Sequence, residues 1–189
     1  MAKAGFLTRL FSWIAPATDD ARAAPAAEVQ EDPASQYAAL VWRRRKGQVE
    51  VLLVTSRETR RWIIPKGWPM KNRAPHEAAA REAFEEAGVE GKPVETPLGA
   101  FHYDKLLKNG ETRHCAVDVF PMKVVKTLEK WPEKGQRERK WFSAQEAAGL
   151  VAEPELSEIV QAFGMANSKA KAANANGRPE GRPRAKSAS

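Results

Sequence analysis

Three glutamates stand on one side of a short predicted helix, and this arrangement constrains the chain more than any other feature. Glu82, Glu85 and Glu86 are spaced i, i+3 and i+4, which places their side chains on a single helical face. Like charges at this spacing destabilise an isolated helix. We therefore expect a cation to neutralise them, and carboxylate oxygens suit Mg²⁺ or Mn²⁺.

The predicted helix has clear start and stop signals. Pro75 fits its first position, where the missing N–H costs nothing. Gly88 is expected to adopt the left-handed conformation that ends a helix. Ahead of the helix, the apolar residues 62–64 are followed by Pro65, Lys66 and Gly67. The sequence therefore predicts a strand, a glycine-led loop and an acidic helix, in that order.

This segment resembles the Nudix box, the signature of the Nudix hydrolase family. Its first glycine is Gly67, and the residues that match the helical half of the box are Arg81, Glu82, Glu85, Glu86 and Gly88. The pattern departs at Arg73, where the family has a glutamate. The flanking residues 62–67 and the later motif at 139–142 are similar to the diphosphoinositol polyphosphate phosphohydrolase branch. The resemblance covers roughly residues 36–165.

The resemblance implies an α/β fold, in which a mixed β-sheet is sandwiched between helices and the box forms a loop and a helix. It also implies Mg²⁺- or Mn²⁺-dependent hydrolysis of a diphosphate linkage, by attack of a metal-activated water on phosphorus. The expected substrate is a nucleoside or inositol polyphosphate, such as a dinucleoside polyphosphate or a diphosphoinositol polyphosphate. The alternative is a non-catalytic module with a degenerate box that binds a nucleotide or RNA.

The box residues have distinct expected roles. Glu82 and Glu86 are the expected core metal ligands, and the backbone carbonyl of Gly67 is a further candidate ligand. Glu85 is a ligand or the base that takes the proton from water. The spacing alone cannot separate the three carboxylates, so the assignment of the base to Glu85 rests on the resemblance. Glu82 and Glu85 are thus the predicted catalytic pair.

Arg81 has an expected structural role in the box. It can pair with Glu85 or with Glu77, each of them four residues away on the helix. Arg73 is expected to lie near Arg81 and to repel it, because the family's bracing glutamate is replaced. Glu77 is the residue expected to take over that bracing.

Several basic residues are candidates for phosphate contacts. They are Lys66, Arg43, Arg57, Arg113 and Arg139. Lys66 is the best placed, because it directly precedes Gly67. For each arginine, the simpler interpretation is an ordinary solvated surface charge. Glu138 is a candidate second base, and His102 and His114 are expected to face each other across a hairpin near the cleft.

The remaining sequence divides into a core and two tails. Residues 1–35 are predicted to be a flexible tail, with an amphipathic stretch at 6–14 that either docks on a membrane surface or partner or frays in solvent. Residues 36–165 form the predicted Nudix domain, with strands near 37–45, 50–56, 94–105, 112–126 and 137–142 and helices at 75–87, after Ser143 and at 154–163. Residues 166–189 are predicted to be a disordered basic tail.

Charge and cysteine content narrow the remaining function classes. The net charge is +7, and the last 24 residues carry six Lys or Arg against one Glu, so weak contact with nucleic acid or an anionic surface is expected there. The sequence contains no evident helix-turn-helix or zinc-ligand spacing, which disfavours a dedicated nucleic-acid-binding domain. Cys115 is the single cysteine and no apolar run reaches membrane-spanning length, so a cytoplasmic location is expected.

Overall fold

The structure of the protein is a computed structural model that describes residues 33–107 and 109–175. Within that part of the chain lie eight strands and three helices. The strands are β1 (Ala34–Arg45), β2 (Gln48–Thr55), β3 (Trp62–Ile63), β4 (Lys66–Gly67), β5 (Val89–Pro93), β6 (Gly99–Leu106), β7 (Thr112–Thr127) and β8 (Arg139–Ser143). The helices are α1 (Pro75–Ala87), α2 (Ala144–Leu150) and α3 (Pro154–Ala175). The amphipathic stretch predicted at residues 6–14 lies outside the described residues.

All eight strands belong to one mixed sheet. Its main order is β3-β2-β1-β7-β5, with β4 pairing with β1, β6 with β7 and β8 with β2. The pair β1–β7 is parallel, and the other pairs are antiparallel. In the pair β1–β4, Tyr37 lies opposite Gly67, so the sheet fixes the position of the box glycine.

Helices cover both faces of this sheet. Strand β2 shows the arrangement most clearly, because its run from Val51 to Val54 is buried throughout. Val51 and Leu53 pack in the cluster beneath α2 and α3, whereas Leu52 and Val54 pack in the cluster beneath α1. Burial of each side chain of this size contributes about 1.5–3 kcal/mol. The predicted mixed sheet between helices is confirmed.

The hairpin β6–β7 is the longest antiparallel pairing at the edge of the sheet. The predicted Asn109-Gly110 turn connects the two strands, and Gly110 has the positive φ of +85° that such a turn requires. The Leu107 N–H donates to the Glu111 carbonyl at 2.8 Å, which closes the loop. Strand β6 begins at Gly99, five residues later than the predicted start at Val94.

Two further elements differ from the predictions for the sequence. Strand β5 was not predicted, because Gly91 and Pro93 interrupt any alternating pattern; it forms through pairing with β7 and carries a bulge between Glu90 and Gly91. Helix α3 continues to Ala175, although residues from 166 onward were expected to be disordered.

The extension of α3 has a local physical basis. Residues 166–175 are rich in alanine and lysine, which favour helix, and Arg44 donates to the Asn167 carbonyl at 2.7 Å. The rest of the predicted basic tail, residues 176–189, lies outside the described residues. Among the helices of the described chain, none is long and apolar enough to cross a membrane.

Candidate active site

The box glycine lies directly against the acidic helix. Strand β4 pairs with the start of β1, and Glu82 of α1 projects toward this point. A methyl group placed on the Cα of Gly67 would come within 2.6 Å of Glu82 Oε2 and closer still to Oε1. A side chain at this position would therefore displace the Glu82 carboxylate.

Glu86 is the most deeply buried of the three box carboxylates. Its Oε2 accepts a hydrogen bond from the Lys66 backbone N–H at 3.3 Å, which ties it to strand β4. Burial raises the pKa of Glu86 to about 7, against the opposing effect of Arg137. The pKa of Glu82 is also raised, first by burial and then by the charges of Glu85 and Glu133. The two carboxylates thus share a desolvated, negatively charged environment.

Arg137 is the main positive group in this environment. Its guanidinium forms an ion pair with Glu86, and both side chains are only 6% exposed. The Arg137 Nε also donates to Glu133 Oε2 at 2.6 Å, and its Nη1 donates to the Thr55 carbonyl at 3.0 Å. Neither Arg137 nor Glu133 was predicted from the sequence. Both lie among other charged residues, and no local spacing distinguishes them.

Glu85 has a different environment from the other two box glutamates. Its Oε1 accepts from Arg81 Nε at 2.5 Å, which is one of the two pairings expected for Arg81. Its backbone carbonyl accepts from the Glu133 N–H at 3.1 Å, so the loop before β8 is attached to this turn of α1. The partly exposed Glu85 carboxylate is therefore separate from the Glu86–Arg137 pair.

The bracing expected from Glu77 is wrong. Its Oε2 accepts from the Ala74 backbone N–H at 3.1 Å and so stabilises the start of α1. Arg81 pairs with Glu85 instead, and the Glu77 carboxylate is occupied in the capping box at the start of α1. Arg73 and Arg81 line the same groove beside β5, a cavity of about 690 Å³, in keeping with their expected proximity.

The end of α1 is fixed by Gly88. This residue has φ +60° and donates its N–H back to the Phe84 carbonyl at 3.0 Å. A side chain at Gly88 would also overlap the ring of Trp131. The helix that carries the carboxylates therefore ends at a defined point against the loop before β8.

The donor set matches a hard divalent cation in its chemistry. Glu82 and Glu86 both present carboxylate oxygens to strand β4, next to Gly67. Oxygen donors of this kind suit Mg²⁺ and Mn²⁺. In the structure, Arg137 forms an ion pair with Glu86, and Arg81 forms one with Glu85. Within residues 33–107 and 109–175, no three acidic, His or Cys side chains converge on one point.

Three of the predicted phosphate-binding residues lie near the box. Lys66 Nζ is 2.6 Å from the Tyr103 hydroxyl and 3.3 Å from Gln36 Oε1, and burial lowers the pKa of this lysine to about 8. Arg57 approaches Glu133 at 3.7 Å. Arg113 lies beside Trp68, the residue that follows Gly67.

Arg43 lies away from the box. It pairs with Glu50 at 2.6 Å, near the end of β1 opposite to the Tyr37–Gly67 contact, because six residues of extended strand separate Arg43 from Tyr37. The structure therefore does not bring Arg43 to the carboxylates.

Arg139 is engaged by the backbone. Its Nη1 donates to the Ala87 carbonyl at 2.6 Å, and its Nη2 donates to the Leu128 carbonyl at 2.8 Å. The guanidinium lies 4.0 Å from the centre of the Trp131 ring. These contacts bind the free carbonyls at the C-terminus of α1, where a cation is also favoured by the helix dipole. In the structure, the Arg139 guanidinium therefore holds the end of α1 and is already engaged by backbone carbonyls. It was predicted from the sequence as a phosphate contact.

The remaining candidates lie outside the carboxylate cluster. Glu138 pairs with Arg60 at 2.6 Å on an exposed surface, so it does not face the box. His102 and His114 stack with their ring centres 5.6 Å apart, as expected for neighbours on the hairpin. His102 also lies 3.2 Å from Glu155 of α3. His102 therefore contacts both His114 and α3, whereas His114 lies 2.9 Å from Asp104 of β6.

Comparison with known proteins by sequence identifies the family of this chain and several of its relatives. The family model described as NUDIX domain matches residues 34–163. The chain is 35% identical over 119 residues to Nudix hydrolase 12, mitochondrial, of Arabidopsis thaliana, covering 61% of this chain and 59% of that protein. It is 37% identical over 111 residues to mouse diphosphoinositol polyphosphate phosphohydrolase 3-alpha, covering 57% of this chain and 63% of that protein.

Solved structures support the fold. The C. elegans Ap4A hydrolase superposes with a TM-score of 0.54 at 18% identity, covering 70% of this chain and 96% of that chain. A NUDIX hydrolase from Nitrosomonas europaea superposes with a TM-score of 0.56 at 20% identity, covering 72% of this chain and 91% of that chain. The present chain spans less than two thirds of the length of the curated relatives it matches.

Proposed function

Because the chain belongs to the NUDIX domain family, we propose that it catalyses divalent-metal-dependent hydrolysis of a diphosphate linkage in a nucleoside or inositol polyphosphate. In this reaction a water oxygen attacks one phosphorus, the bridging P–O bond breaks, and two phosphorylated products leave. The names of similar proteins, Ap4A hydrolase and diphosphoinositol polyphosphate phosphohydrolase, support the same class of linkage.

The observation that carries the proposal is the placement of two carboxylates against strand β4. Glu82 contacts the position of Gly67, and Glu86 accepts the Lys66 backbone N–H. We assign Glu82 and Glu86 as ligands of Mg²⁺, or of Mn²⁺, with the Gly67 carbonyl as a further ligand. When bound, such a cation neutralises phosphate charge and lowers the pKa of a water molecule.

Glu85 is the proposed proton acceptor. Its carboxylate is partly exposed, and Arg81 orients it through the contact at 2.5 Å. A carboxylate in this position can take a proton from the attacking water, whereas Glu86 is enclosed by Arg137 and strand β4. Lys66, Arg57 and Arg113 are the proposed phosphate contacts, because their positive groups lie on elements next to the box.

A second function is supported by one specific contact. The Arg137 guanidinium already neutralises Glu86, so the cluster can fold without a cation. A non-catalytic module would use the same fold to bind a nucleotide or RNA through its basic groups. The arginine at position 73 also fits this alternative, because a family glutamate is missing there.

A hydrolysis screen distinguishes the two functions. Purified protein is incubated with Mg²⁺ or Mn²⁺ and with dinucleoside polyphosphates, diphosphoinositol polyphosphates, ADP-ribose and 5′-triphosphorylated RNA. The catalytic proposal predicts release of phosphorylated products from at least one class. Glu85→Gln is expected to lower kcat by about 10²–10⁴-fold, as for loss of a general base, while Glu158→Gln on the exposed face of α3 leaves it unchanged.

Metal affinity separates the carboxylate roles. Glu82→Gln and Glu86→Gln are expected to weaken Mn²⁺ binding in calorimetric titration, whereas Glu85→Gln leaves it within a few-fold of the parent protein. No turnover of any substrate class by folded, metal-binding protein would contradict the catalytic proposal. Tight nucleotide or RNA binding in that case would support the non-catalytic module.

The C-terminal basic segment has a separate proposed role. Weak contact of residues 176–189 with nucleic acid or an anionic surface would follow from their charge. Truncation after Ala175 is expected to abolish this contact and to leave hydrolysis intact, because the truncation spares all of α3. We also propose a cytoplasmic location, which fits the single buried Cys115 and can be checked by fractionation.

A further inference from the structure

One face of the hairpin β6–β7 changes from apolar to positively charged toward the turn. Phe101 lies opposite Val117, and both side chains are buried in the core. Two positions further along β6, Tyr103 lies on the same face, because side chains alternate along a strand. The next pair on this face is Lys105 and Arg113, directly opposite each other.

The lysine before the box reaches this same face. Lys66 Nζ lies 2.6 Å from the Tyr103 hydroxyl, one step inward from Lys105. Three positive side chains, those of Lys66, Lys105 and Arg113, therefore follow one another beside strand β4. Among the residues that the structure describes, none of the three has a carboxylate within ion-pair distance.

An aromatic ring lies at the outer end of this row. Trp68 follows Gly67 and is 37% exposed. Lys105 Nζ is 4.6 Å from the ring centre, and the Arg113 guanidinium carbon is 5.6 Å from it. We call Lys66, Lys105, Arg113 and Trp68 the Trp68 strip.

The three positive charges of the strip favour an anionic ligand. Like charges directly opposite each other in an antiparallel pair are destabilising, and Lys105 and Arg113 are such a pair. Ammonium and guanidinium groups in a row bind successive phosphates. An exposed indole at the end of the row binds a flat π-system by stacking, which a saturated inositol ring does not offer.

We propose that the Trp68 strip binds the distal part of the substrate, a phosphate chain on the three cations and a nucleobase on Trp68. This proposal rests on the proposed function only in placing the scissile linkage at the adjacent carboxylates. It selects nucleoside polyphosphates over inositol polyphosphates as the substrate class. Trp68 then determines specificity, while the cations of the strip supply attraction to any polyphosphate.

The test is equilibrium binding with ligands that are not hydrolysed. Methylene-bridged adenosine triphosphate is compared with methylene-bridged inorganic triphosphate, which has the same kind of charged chain but no base, in buffer with Mg²⁺. Trp68→Ala is expected to weaken adenosine ligand binding by about tenfold and to leave inorganic ligand binding unchanged. Trp68→Phe, which keeps a π-face, is expected to remain within a few-fold of the parent protein for both ligands.

The cations are tested with a double substitution. Lys105→Ala combined with Arg113→Ala is expected to weaken both ligands. Lys126→Ala serves as the control, because it removes an exposed charge from the other end of β7, opposite Glu90. All variants are first checked for parental circular dichroism and melting temperature, and Trp68→Phe keeps the test decisive if Trp68→Ala is poorly folded.

Two results would overturn the inference. Equal weakening of both ligands by Trp68→Ala would show no base contact, and inositol hexakisphosphate binding with the same dependence on Trp68 would remove the selectivity. Because the probes are not hydrolysed, the inference survives a protein that binds but does not cleave. Conversely, hydrolysis of polyphosphates with binding that is insensitive to Trp68 would overturn this inference alone.

Discussion

Arg137 and Glu86 form a buried ion pair between the loop before β8 and the acidic helix, with each side chain 6% exposed. The pair joins two parts of the chain that are 51 residues apart. Glu133 extends it, because its carboxylate accepts from Arg137 and its backbone N–H donates to the Glu85 carbonyl. The carboxylates of the box are thus held by a segment outside the box.

Replacing Arg137 is expected to destabilise the metal-free protein strongly. Arg137→Met leaves Glu86 buried without its partner, and loss of one member of a buried pair typically costs about 3–5 kcal/mol. Urea denaturation in the presence of a chelator measures the loss. Arg57→Met is the control, since its exposed contact with Glu133 at 3.7 Å contributes about 0–1 kcal/mol. Equal effects of the two substitutions would contradict the role given to Arg137.

Arg139 is expected to affect stability and not substrate affinity. Arg139→Met removes donors from the Ala87 and Leu128 carbonyls, and each buried group left unsatisfied costs about 1–3 kcal/mol. Thermal unfolding and KM for the best polyphosphate are measured on the same preparations. For Arg113→Met we expect the reverse: a raised KM for the polyphosphate and little change in the melting temperature. A raised KM with unchanged stability for Arg139→Met would instead support the phosphate contact predicted from sequence.

The sequence was sufficient for features that depend on local spacing. The i, i+3, i+4 glutamates, the position of Pro75 and the left-handed Gly88 follow from helix geometry, and the continuous run 51–54 follows from burial on both faces. The resemblance to the Nudix box then supplied the family and the sandwich architecture, both of which are confirmed.

The rest depended on contacts between distant segments. Arg137 and Arg139 are two residues apart in a charged stretch, yet one faces Glu86 and the other faces the end of α1. No periodicity in the sequence predicts which contact each arginine makes. Both contacts depend on how α1 packs against the segment around the start of β8. Strand β5 is similar, since it exists only through pairing with β7. Tertiary pairing overrides local propensity in such cases.

The start of α2 is expected to show a defined pH dependence. Hydrogen bonds from the Ser143 hydroxyl at 2.7 Å and from its backbone N–H at 2.9 Å lower the pKa of Glu146 below its ordinary value of 4.5. A lowered folded-state pKa means that the stabilisation is present above pH 4.5 and is lost as the pH falls through the folded value.

Melting temperatures across pH 3–7 test this dependence. The melting temperature of Glu146→Gln is expected to fall below that of the parent protein near neutral pH, and the difference is expected to shrink as the pH falls below 4.5. Glu158→Gln, on exposed α3, is expected to show no such trend. A constant difference at all pH values would mean that the carboxylate charge of Glu146 does not matter for the cap.

The approach of strand β4 to the helix is tested by adding one methyl group. Gly67→Ala would place a Cβ within 2.6 Å of Glu82 Oε2, so the carboxylate must move. Because the Glu82 carboxylate is the end of a flexible side chain, the expected cost in folding stability is small. Mn²⁺ affinity and kcat are each expected to fall by tenfold or more, which corresponds to at least about 1.4 kcal/mol of binding or activation free energy. Gly149→Ala is the matched control, since a methyl group there meets nothing within 4 Å and alanine favours the helix by about 0.5–1 kcal/mol. Parental metal affinity and turnover in Gly67→Ala would show that the position of Glu82 against β4 is not needed for the site.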